Sequence, residues 1–531
     1  MSSSVSYLTY EDVPVFSERD RAFAQMHPQL HGLLPYAPTD QGLHQAIRDR
    51  SGHPIDRALL VEVLRDQYDS LDDTDLQIQA IKALESDDSR TVITAHQPSL
   101  ALGPLYYVYK ILSAIKLARK LSESSENTIV PVFVIGGEDH DFEEIQSVHL
   151  FSKSVSWTPD ERGGPVGRMS TQGLAEVKSE LSEILGDKEN DKRLLDIFSA
   201  WEKHDRYGES VHDIVHALFG SYGLLVLRMD DARLKRAFAP IMWKELTERP
   251  SHDLVRETQD KIKELGFSDQ AFPREINLFY LQDGRRDRIE YVDGSYTVVD
   301  TSLRWSEADL RAELESHPES FSPNVVMRPL YQESILPNIA YVGGGGELAY
   351  WNERWAQFKH FGVFFPVMVR RDSFLQVTSR TAEDLEALGL TVPELYGDID
   401  NVIAAFIDKD KPDAYDLPDA EAHMAQVYDD IIKRISQVDP SLGKSVTADK
   451  VKAIKSIENL KKKLNRSYKN QQEVKVRKIN KIRDQIYPEQ KLQERYESFI
   501  PYYLRYGTDF FDEILKYADP LDMRMKVMRW S

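Results

Sequence analysis

The first candidate site is a polar pair, His96 and Gln97, which follows the apolar run 92–95 and precedes a helix. An imidazole and a carboxamide at this position can bind a phosphate or an acyl group, and the unpaired amides of a helix start attract negative charge. We therefore expect His96 and Gln97 to contact a charged oxygen of a substrate.

Three residues of the helix after this pair have side chains suited to binding. Tyr106 and Lys110 are four residues apart, so they share one face of the helix. Tyr109 follows Tyr106 at the other helical interval of three residues. This spacing predicts an aromatic platform with an ammonium group beside it.

The second candidate site directly follows the apolar run 130–135. A glycine pair that includes Gly137 leads there into Glu138, Asp139 and His140. Carboxylates at a strand end can hold an amine, act as bases or coordinate a metal. We favour the anchoring of a substrate amine, and no metal site is predicted.

A run of four glycines, 343–346, marks a third candidate site between an apolar run and a helix. Backbone without side chains can approach an anion closely, so we expect Gly344 and Gly345 to contact substrate. The spacing differs from the dinucleotide fingerprint, and NAD is not predicted. The helix residues assigned to the same site are Glu347, Tyr350 and Trp351.

The elements that position these clusters are predicted to form an α/β core. A strand, a crossover helix and a strand within about 45 residues make a parallel unit. Repetition of such junctions predicts a doubly wound, Rossmann-like parallel sheet, which binds ligands at the carboxyl ends of its strands. We expect the three candidate sites to share one cleft. The apolar runs that end in a polar or glycine-rich turn are 92–95, 130–135, 223–227, 338–342 and 363–369.

Composition limits the class of protein. The chain has 531 residues, 41% of them hydrophobic, which is typical of a globular protein with two to four domains. A net charge of -20 argues against a nucleic-acid partner. The absence of cysteine excludes disulfides and fits a cytoplasmic protein. No apolar run is long enough for a membrane span, and residues 1–16 lack the pattern of an export signal.

Changes of pattern along the chain predict its domain organisation. Long polar insertions interrupt the core, and the Asp283-Gly284 pair predicts a hairpin in the second of them. The predicted segments are an N-terminal helical layer at 1–90, a core at 91–415 with insertions at about 151–222 and 247–325, a coiled coil at 416–490, and a C-terminal segment at 491–531 that packs on the core.

The segment 416–490 predicts an antiparallel helical hairpin or coiled coil, because its apolar residues recur at intervals of three and four. Between residues 450 and 485 there are 13 Lys and Arg residues and three acidic ones. A solvated helix face is the simpler interpretation. The alternative is a basic wall against an anionic ligand or an acidic partner subunit. The first apolar residues of the series are Met424, Val427, Ile431, Ile435 and Val438.

Taken together, several segments resemble the BshC family of cysteine ligases, assigned to the last step of bacillithiol synthesis. The likeness runs in order over nearly the whole chain. It implies a fold similar to class I aminoacyl-tRNA synthetases, with connective insertions and a coiled coil that forms a homodimer. The segments that carry it are HQ at 96–97, GPLYYVYK at 103–110, PVFVIGGEDHDFEEI at 131–145, the segment from SPNVV to AYW at 322–351 and KLQER at 491–495.

The resemblance implies a ligase that joins L-cysteine to glucosaminyl-malate, with ATP as the co-substrate that activates the cysteine carboxylate. We then expect Asp139 at the cysteine ammonium group, and Tyr350 and Trp351 over the acceptor sugar. The side chains expected beside the phosphate or carboxylate are His96, Gln97 and Lys110.

The chain departs from the synthetase pattern in two places. Tyr106 and Tyr109 stand where the two histidines of the His-x-Gly-His motif would fall, and no KMSKS-like lysine loop is present. Whether activation gives an adenylate or a phosphate, and whether a metal takes part, therefore stays open. A second candidate nucleotide site comprises Lys491, Gln493 and Arg495.

Three other function classes fit the same residues. A nucleotidyl-transfer ligase acting on another amino acid or acid would use the same cleft. A non-catalytic coiled-coil scaffold for thiol-synthesis enzymes would bind no substrate. A carboxylate-metal hydrolase would lose its activity to chelators.

Overall fold

The computed structural model describes residues 3–159, 162–409 and 417–531. The chain divides into two compact units, of which the first comprises Met1–Gln376 and Gln493–Met528 and the second Val377–Leu492 and Arg529–Ser531. The sequence predicts the end of the core at residue 415, whereas the boundary by contacts lies at residue 376.

A five-stranded parallel sheet forms the centre of the first unit. Its order is β5-β4-β1-β2-β3, and every neighbouring pair is parallel. Each of the five predicted apolar runs supplies one strand, so the predicted Rossmann-like core is confirmed. The strands are β1 Arg90–His96, β2 Ile129–Ile135, β3 Leu225–Arg228, β4 Asn338–Gly343 and β5 Val367–Arg370.

Helices cover both faces of this sheet. Side chains of a strand alternate between its faces, so the neighbours Val92 and Ile93 join different hydrophobic clusters. Val92 packs with helix Leu105–Ser124, and Ile93 belongs to the cluster that includes helices Arg57–Tyr68 and Ala232–Glu248. Burial on both faces explains why the strands read as continuous apolar runs.

The strand order reverses between β1 and β4. In doubly wound sheets, ligands bind outside the carboxyl ends of the strands at such a point. His96 ends β1 and Gly343 ends β4, so the fold places two of the three predicted clusters at the reversal.

The second insertion forms an antiparallel sheet of five strands. Residues Asp283 and Gly284 connect two of them, with Gln282 paired to Arg285. Gly284 has a φ of 68°, which a residue without Cβ adopts at little cost. The predicted hairpin is confirmed. In sheet order the strands are Arg304–Trp305, Ser295–Val298, Arg285–Val292, Leu278–Gln282 and Phe321–Pro323.

The remaining elements of the first unit surround the two sheets. A strand, Ser3–Leu8, opens the N-terminal layer, and a small hairpin joins Ser147–Leu150 to Lys153–Ser156. The other α-helices of this unit are Glu18–Ala24, Pro28–His31, Asp40–Asp49, Asp75–Ala83, Phe142–Ile145, Leu174–Ile184, Glu189–Ile197, Ala200–Lys203, Tyr207–Phe219, Pro250–Glu264, Glu307–Ser316, Arg328–Ile335, Gly345–Trp351, Trp355–Phe361, Ile500–Tyr506 and Asp509–Tyr517.

The second unit is helical. Helices Pro418–Val438 and Gly443–Gln471 form the hairpin that the apolar intervals predict, and Lys450 Nζ lies 2.6 Å from Asp429 Oδ1 across it. The unit boundaries fall within strands Phe374–Thr378 and Met525–Trp530. Its other helices are Ser379–Leu388, Ile399–Lys409 and Glu473–Ile486.

Among the residues that the structure describes, no helix combines the length and the apolar character that crossing a membrane requires.

Candidate active site

A cavity of about 640 Å³ opens at the carboxyl ends of the core strands. Its wall includes His96 from the end of β1, Asp139 from the turn after β2, and Gly344 from the turn after β4. The sequence predicts that these three clusters share one cleft, and the three residues do line one cavity. Strands of the second insertion supply the facing wall.

His96 and Tyr106 form a hydrogen-bonded pair on this wall. Burial, and then the charge of Lys110, lower the pKa of His96 to about 4, so its ring is neutral at neutral pH. Nδ1 lies 2.9 Å from the carbonyl oxygen of Gln97, which can only accept, so Nδ1 carries the ring hydrogen. Nε2 therefore accepts the hydrogen bond of 2.9 Å from the Tyr106 hydroxyl. The pair presents a neutral imidazole and phenol to the cavity.

Asp139 is held ionised at the cavity edge. Gln97 Nε2 donates to Oδ2 at 2.7 Å, and the backbone N of His140 donates to Oδ1 at 2.7 Å. Burial alone would raise the pKa of the Asp139 carboxyl, but the charge of Arg286 and these two hydrogen bonds outweigh burial and hold it below its ordinary value. An oriented, ionised carboxylate can bind an ammonium group.

The turn after β2 packs directly on the backbone of the first insertion. The N–H of Gly167 donates to the carbonyl oxygen of Gly137 at 2.7 Å. A Cβ on Gly167 would lie 2.8 Å from the Cα of Gly137, closer than side chains pack. Glycine at these positions therefore allows the cavity-lining turn to sit where it does.

Glu138 lines the cavity but is already paired. Lys235, which is 0% exposed, places Nζ 2.6 Å from Glu138 Oε1 and 2.7 Å from Oε2, and the Ser322 hydroxyl donates to Oε2 at 3.0 Å. Lys235 comes from the helix after β3 and Ser322 from the second insertion. Glu138 thus joins three segments and presents little free charge.

Lys110 and Glu347 form a buried ion pair behind the wall. Lys110 is 0% exposed, and its Nζ donates to Glu347 Oε1 at 2.8 Å and to the Ala95 carbonyl oxygen. Tyr341 also donates to Oε1 at 2.8 Å, and the N–H of Gly344 donates to Oε2 at 2.9 Å. Burial would raise the pKa of Glu347, but Lys110 and the N–H of Gly344 lower it to about 2. Glu347 lines the cavity, whereas Lys110 does not.

Several arginines, none of them assigned from the sequence except Arg495, also line the cavity. Arg371 pairs with the buried Glu494 through two contacts of 2.7 and 3.0 Å. Arg274, Arg328 and Arg495 have no carboxylate within ion-pair distance among the described residues. These three guanidinium groups leave positive charge available to an anionic ligand.

Other predicted site residues lie outside the lining. Tyr109 is buried and its hydroxyl accepts from Gln376 Nε2 at 2.7 Å. Trp351 is 0% exposed and stacks on Tyr341 in the core. A Cβ on Gly345 would lie 2.2 Å from the Asp20 carboxyl carbon, so this glycine accommodates Asp20.

His140 does not line the cavity; its Nδ1 accepts from Nη1 of Arg286, a lining residue, at 3.0 Å. Of the proposed nucleotide residues, Arg495 lines the cavity. Gln493 is buried and accepts from the backbone N of Gln376 at 2.8 Å. Lys491 belongs to the second unit.

Sequence reasoning missed the part of the wall that the second insertion supplies. Phe272, Arg274 and Arg286 come from this insertion and line the cavity. Their signals were an arginine two residues after Gly284 of the Asp283-Gly284 turn, and an aromatic residue two positions before an arginine in a loop. Neither pattern identifies a site unless it is known which strand end the insertion covers.

Among the described residues, no group of three or more His, Asp or Glu side chains has an arrangement that could hold a metal ion.

Comparison with family models identifies the family of this chain. Residues 7–372 match the model described as "Bacillithiol biosynthesis BshC, N-terminal Rossmann-like domain", and residues 374–530 match that of its C-terminal coiled-coil domain. The chain belongs to the BshC family. The predicted resemblance is confirmed over nearly the whole chain.

Curated relatives agree with this assignment. A protein of Christiangramia forsetii is 38% identical over 89% of each chain, and one of Flavobacterium johnsoniae is 35% identical over 98% of this chain and 99% of its own. A Bacillus mycoides relative is 27% identical over 94% and 96%. All three are named "Putative cysteine ligase BshC".

A solved Campylobacter jejuni structure named "putative arginyl t-RNA synthetase" covers 85% of this chain and 98% of its own, with 11% identity and a TM-score of 0.22. A TM-score this low does not support a fold assignment. The fold assignment rests on the observed sheet and on the family models.

Proposed function

We propose that this chain is a ligase that forms an amide between the carboxyl group of L-cysteine and the amine of glucosaminyl-malate, giving bacillithiol. The names of its relatives support this activity. The observation that carries it furthest is the charge of the cavity. One edge presents the ionised Asp139, and three lining arginines lack a carboxylate partner among the described residues.

In the proposal, Asp139 binds the ammonium group of cysteine. Gln97 fixes the orientation of this carboxylate through its bond of 2.7 Å. Arg286 keeps it charged, since its guanidinium lies 4.0 Å away and lowers the pKa of Asp139. A directed ion pair at a partly buried site discriminates between an amino acid and a simple acid.

The acceptor carries two carboxylates on its malate part and a sugar ring. Arg274 offers a guanidinium group for carboxylate oxygens, since it lines the cavity. Tyr350 and Phe272 offer aromatic surface for the sugar, and Phe272 is 66% exposed. The predicted role of Trp351 over the sugar does not enter the proposal, because that side chain lies in the core.

We also propose ATP as the co-substrate that activates the cysteine carboxylate, because a free carboxylate has no good leaving group. Arg495 supports a place for its phosphates at the cavity, whereas Lys491 lies in the other unit. His96 and Tyr106 line the same cavity as an uncharged, hydrogen-bonded pair.

The proposal further includes a cytoplasmic location, where ATP and free cysteine are available, and a homodimer formed through the helical hairpin. Val427, Ile431 and Val438 lie on the first helix of the hairpin and are 52%, 38% and 88% exposed. An exposed apolar stripe at intervals of four and seven residues is typical of a coiled-coil contact.

The direct test is product formation. Purified protein is incubated with L-cysteine, glucosaminyl-malate and each nucleoside triphosphate, and the thiol product is measured by mass spectrometry. We expect bacillithiol with ATP and none without it. Cysteine-dependent exchange of labelled pyrophosphate into ATP would indicate an adenylate, and release of ADP would indicate a phosphate. Product with another amino acid and none with cysteine would reject the proposal.

A further inference from the structure

Glu144 is a carboxylate of the cavity wall to which the proposed function gives no role. Asp230, another lining carboxylate, lies 3.9 Å from Arg168, and three more have the partners described above. Glu144 makes no hydrogen bond or ion pair with any residue that the structure describes. Its oxygens are therefore available to a ligand. The carboxylates that line the cavity are Glu138, Asp139, Glu144, Asp230 and Glu347.

The short helix Phe142–Ile145 fixes the position of Glu144. The first and last residues of this helix are buried, and the Phe142 ring packs edge-on against Trp157 with ring centroids 5.2 Å apart. Glu143 and Glu144 stand exposed between these two buried ends. Of the two, Glu144 lines the cavity and Glu143 does not. Two adjacent, chemically identical side chains thus differ in whether they reach the cavity.

Glu144 lies near both polar clusters of this wall. Burial, then Glu347, and also the charge of Glu144 raise the pKa of Tyr106 to about 12. The charge of Asp139 in turn acts on Glu144. The Glu144 carboxylate is therefore within electrostatic range of the Tyr106 phenol and of the carboxylate proposed to hold cysteine.

Asp139 and Glu144 are two carboxylates of one cavity in opposite environments. The charge of Arg286 holds the pKa of Asp139 below its ordinary value despite burial. Burial, and then the charges of Asp141 and Asp139, raise the pKa of Glu144. When two titratable groups of one site have their pKa values shifted apart, the environments suit them to different roles. Asp139 is suited to hold a cation, and Glu144 to take up a proton.

We propose that Glu144 is the general base that takes a proton from the acceptor nitrogen during amide formation, an inference that rests on the proposed function. The lone pair of the neutral amine forms the new C–N bond to the acyl carbon of activated cysteine, and the C=O π pair moves to oxygen. The nitrogen is now positively charged. A carboxylate oxygen of Glu144 takes one of its protons, and the N–H electrons stay on nitrogen. When the oxygen pair returns, the C–O bond to the phosphate leaving group breaks and phosphate takes the electrons.

The first test compares two neighbouring glutamates. Because a positioned base typically contributes 10²-fold or more, we expect Glu144→Gln to lower kcat for bacillithiol by about that factor. The KM for glucosaminyl-malate should change by less than about threefold. Glu143→Gln, the matched control outside the lining, should keep the kcat of the unchanged protein. An unchanged kcat in Glu144→Gln overturns the inference. A raised KM with unchanged kcat does so too, because Glu144 would then bind the acceptor.

The second test separates activation of cysteine from transfer to the amine. Hydroxylamine replaces the acceptor and traps activated cysteine as its hydroxamate, and this small nucleophile attacks an activated acyl group without an enzymic base. We expect Glu144→Gln to form the hydroxamate at a rate within about threefold of the unchanged protein while its bacillithiol formation is lost. Loss of both products overturns the inference, because Glu144 would then serve activation or folding.

The third test restores the base. Glu144→Ala leaves space for formate, a small carboxylate, which should raise its bacillithiol formation at least about tenfold. Formate should leave Glu143→Ala unchanged. A Glu144→Ala variant that formate does not restore contradicts the inference.

The unchanged protein keeps the two proposals apart. If it forms bacillithiol while Glu144→Gln keeps its kcat, the base assignment fails and the proposed function stands. If it forms no bacillithiol with any triphosphate, both fail.

Discussion

Asp139 is the residue at which the cavity can distinguish an ammonium group from a neutral one. Asp139→Asn keeps the shape and removes the charge, so we expect the KM for cysteine to rise about tenfold or more, because loss of an ionic contact of about 1.4 kcal/mol gives a factor of ten. Saturation kinetics with cysteine measure it. Asp141→Asn, an exposed neighbour outside the lining, is the control. Wild-type saturation by cysteine in folded Asp139→Asn would contradict the assignment.

Arg354 is a buried guanidinium that lacks hydrogen-bond partners for all three nitrogens within the described structure. Burial lowers its pKa to about 10. Arg370 is equally buried but makes two contacts of 2.7 and 2.9 Å with Asp20. We expect Arg354→Met to raise the free energy of unfolding and Arg370→Met to lower it by about 3–5 kcal/mol, because only the second leaves an unpaired charge. Denaturant unfolding of both variants tests this contrast, and equal losses would contradict it.

His96 links stability to pH. Burial lowers its pKa to about 4, so between the ordinary value of about 6.5 and 4 the unfolded chain binds a proton that the folded chain excludes. This contribution is complete above pH 6.5 and is lost as the pH falls towards 4. His96→Asn should reduce the loss of unfolding free energy between pH 7 and pH 4.5 by about 2 kcal/mol. His53→Asn controls for the removal of one histidine, and an unchanged pH dependence in His96→Asn would be contrary evidence.

Among the elements, helix Leu105–Ser124 and helix Gly345–Trp351 are joined by Lys110 and Glu347. Lys110→Met leaves Glu347 with its charge unpaired, so we expect a loss of about 3–5 kcal/mol in the free energy of unfolding. Adding Glu347→Gln should recover part of the loss. Thermal unfolding of the single and double variants tests the coupling, and strictly additive losses would show that the two side chains act independently.

The sequence predicts the elements of this fold better than the direction in which their side chains face. Five apolar runs ending in polar turns were sufficient for the parallel sheet, because each strand is buried on both faces. Helical spacing placed Tyr106 and Lys110 on one face, yet only Tyr106 reaches the cavity. An interval of four residues shows that two side chains share one face of a helix. It does not show whether a side chain on that face points to a ligand or to a neighbouring strand end.

Residues far apart in the chain set the rest of the candidate site. The three clusters at strand ends were found because parallel strands align their carboxyl ends. Arg274 and Arg286 reach the cavity through the antiparallel sheet of the second insertion. Their placement depends on how that sheet folds over the core, which no local pattern records.

For the whole molecule, the oligomeric state is the property most open to test. Val427→Asp with Ile431→Asp places two charges on the exposed apolar stripe of the hairpin. Because burying them in a dimer contact is unfavourable, we expect sedimentation to change from dimer to monomer. Gln426→Asp, at an exposed polar position beside the stripe, should sediment as the unchanged protein does. A monomeric unchanged protein, or a dimer that survives both charges, would refute the proposed contact.

The pairing of Arg371 with Glu494 has a consequence for how the protein is made. Glu494 follows Arg371 by 123 residues, and nearly the whole second unit is synthesised between them. During synthesis, the Arg371 guanidinium therefore has no Glu494 partner until the second unit has been made. Premature termination within the second unit would release a Rossmann core in which Arg371 lacks the carboxylate of Glu494.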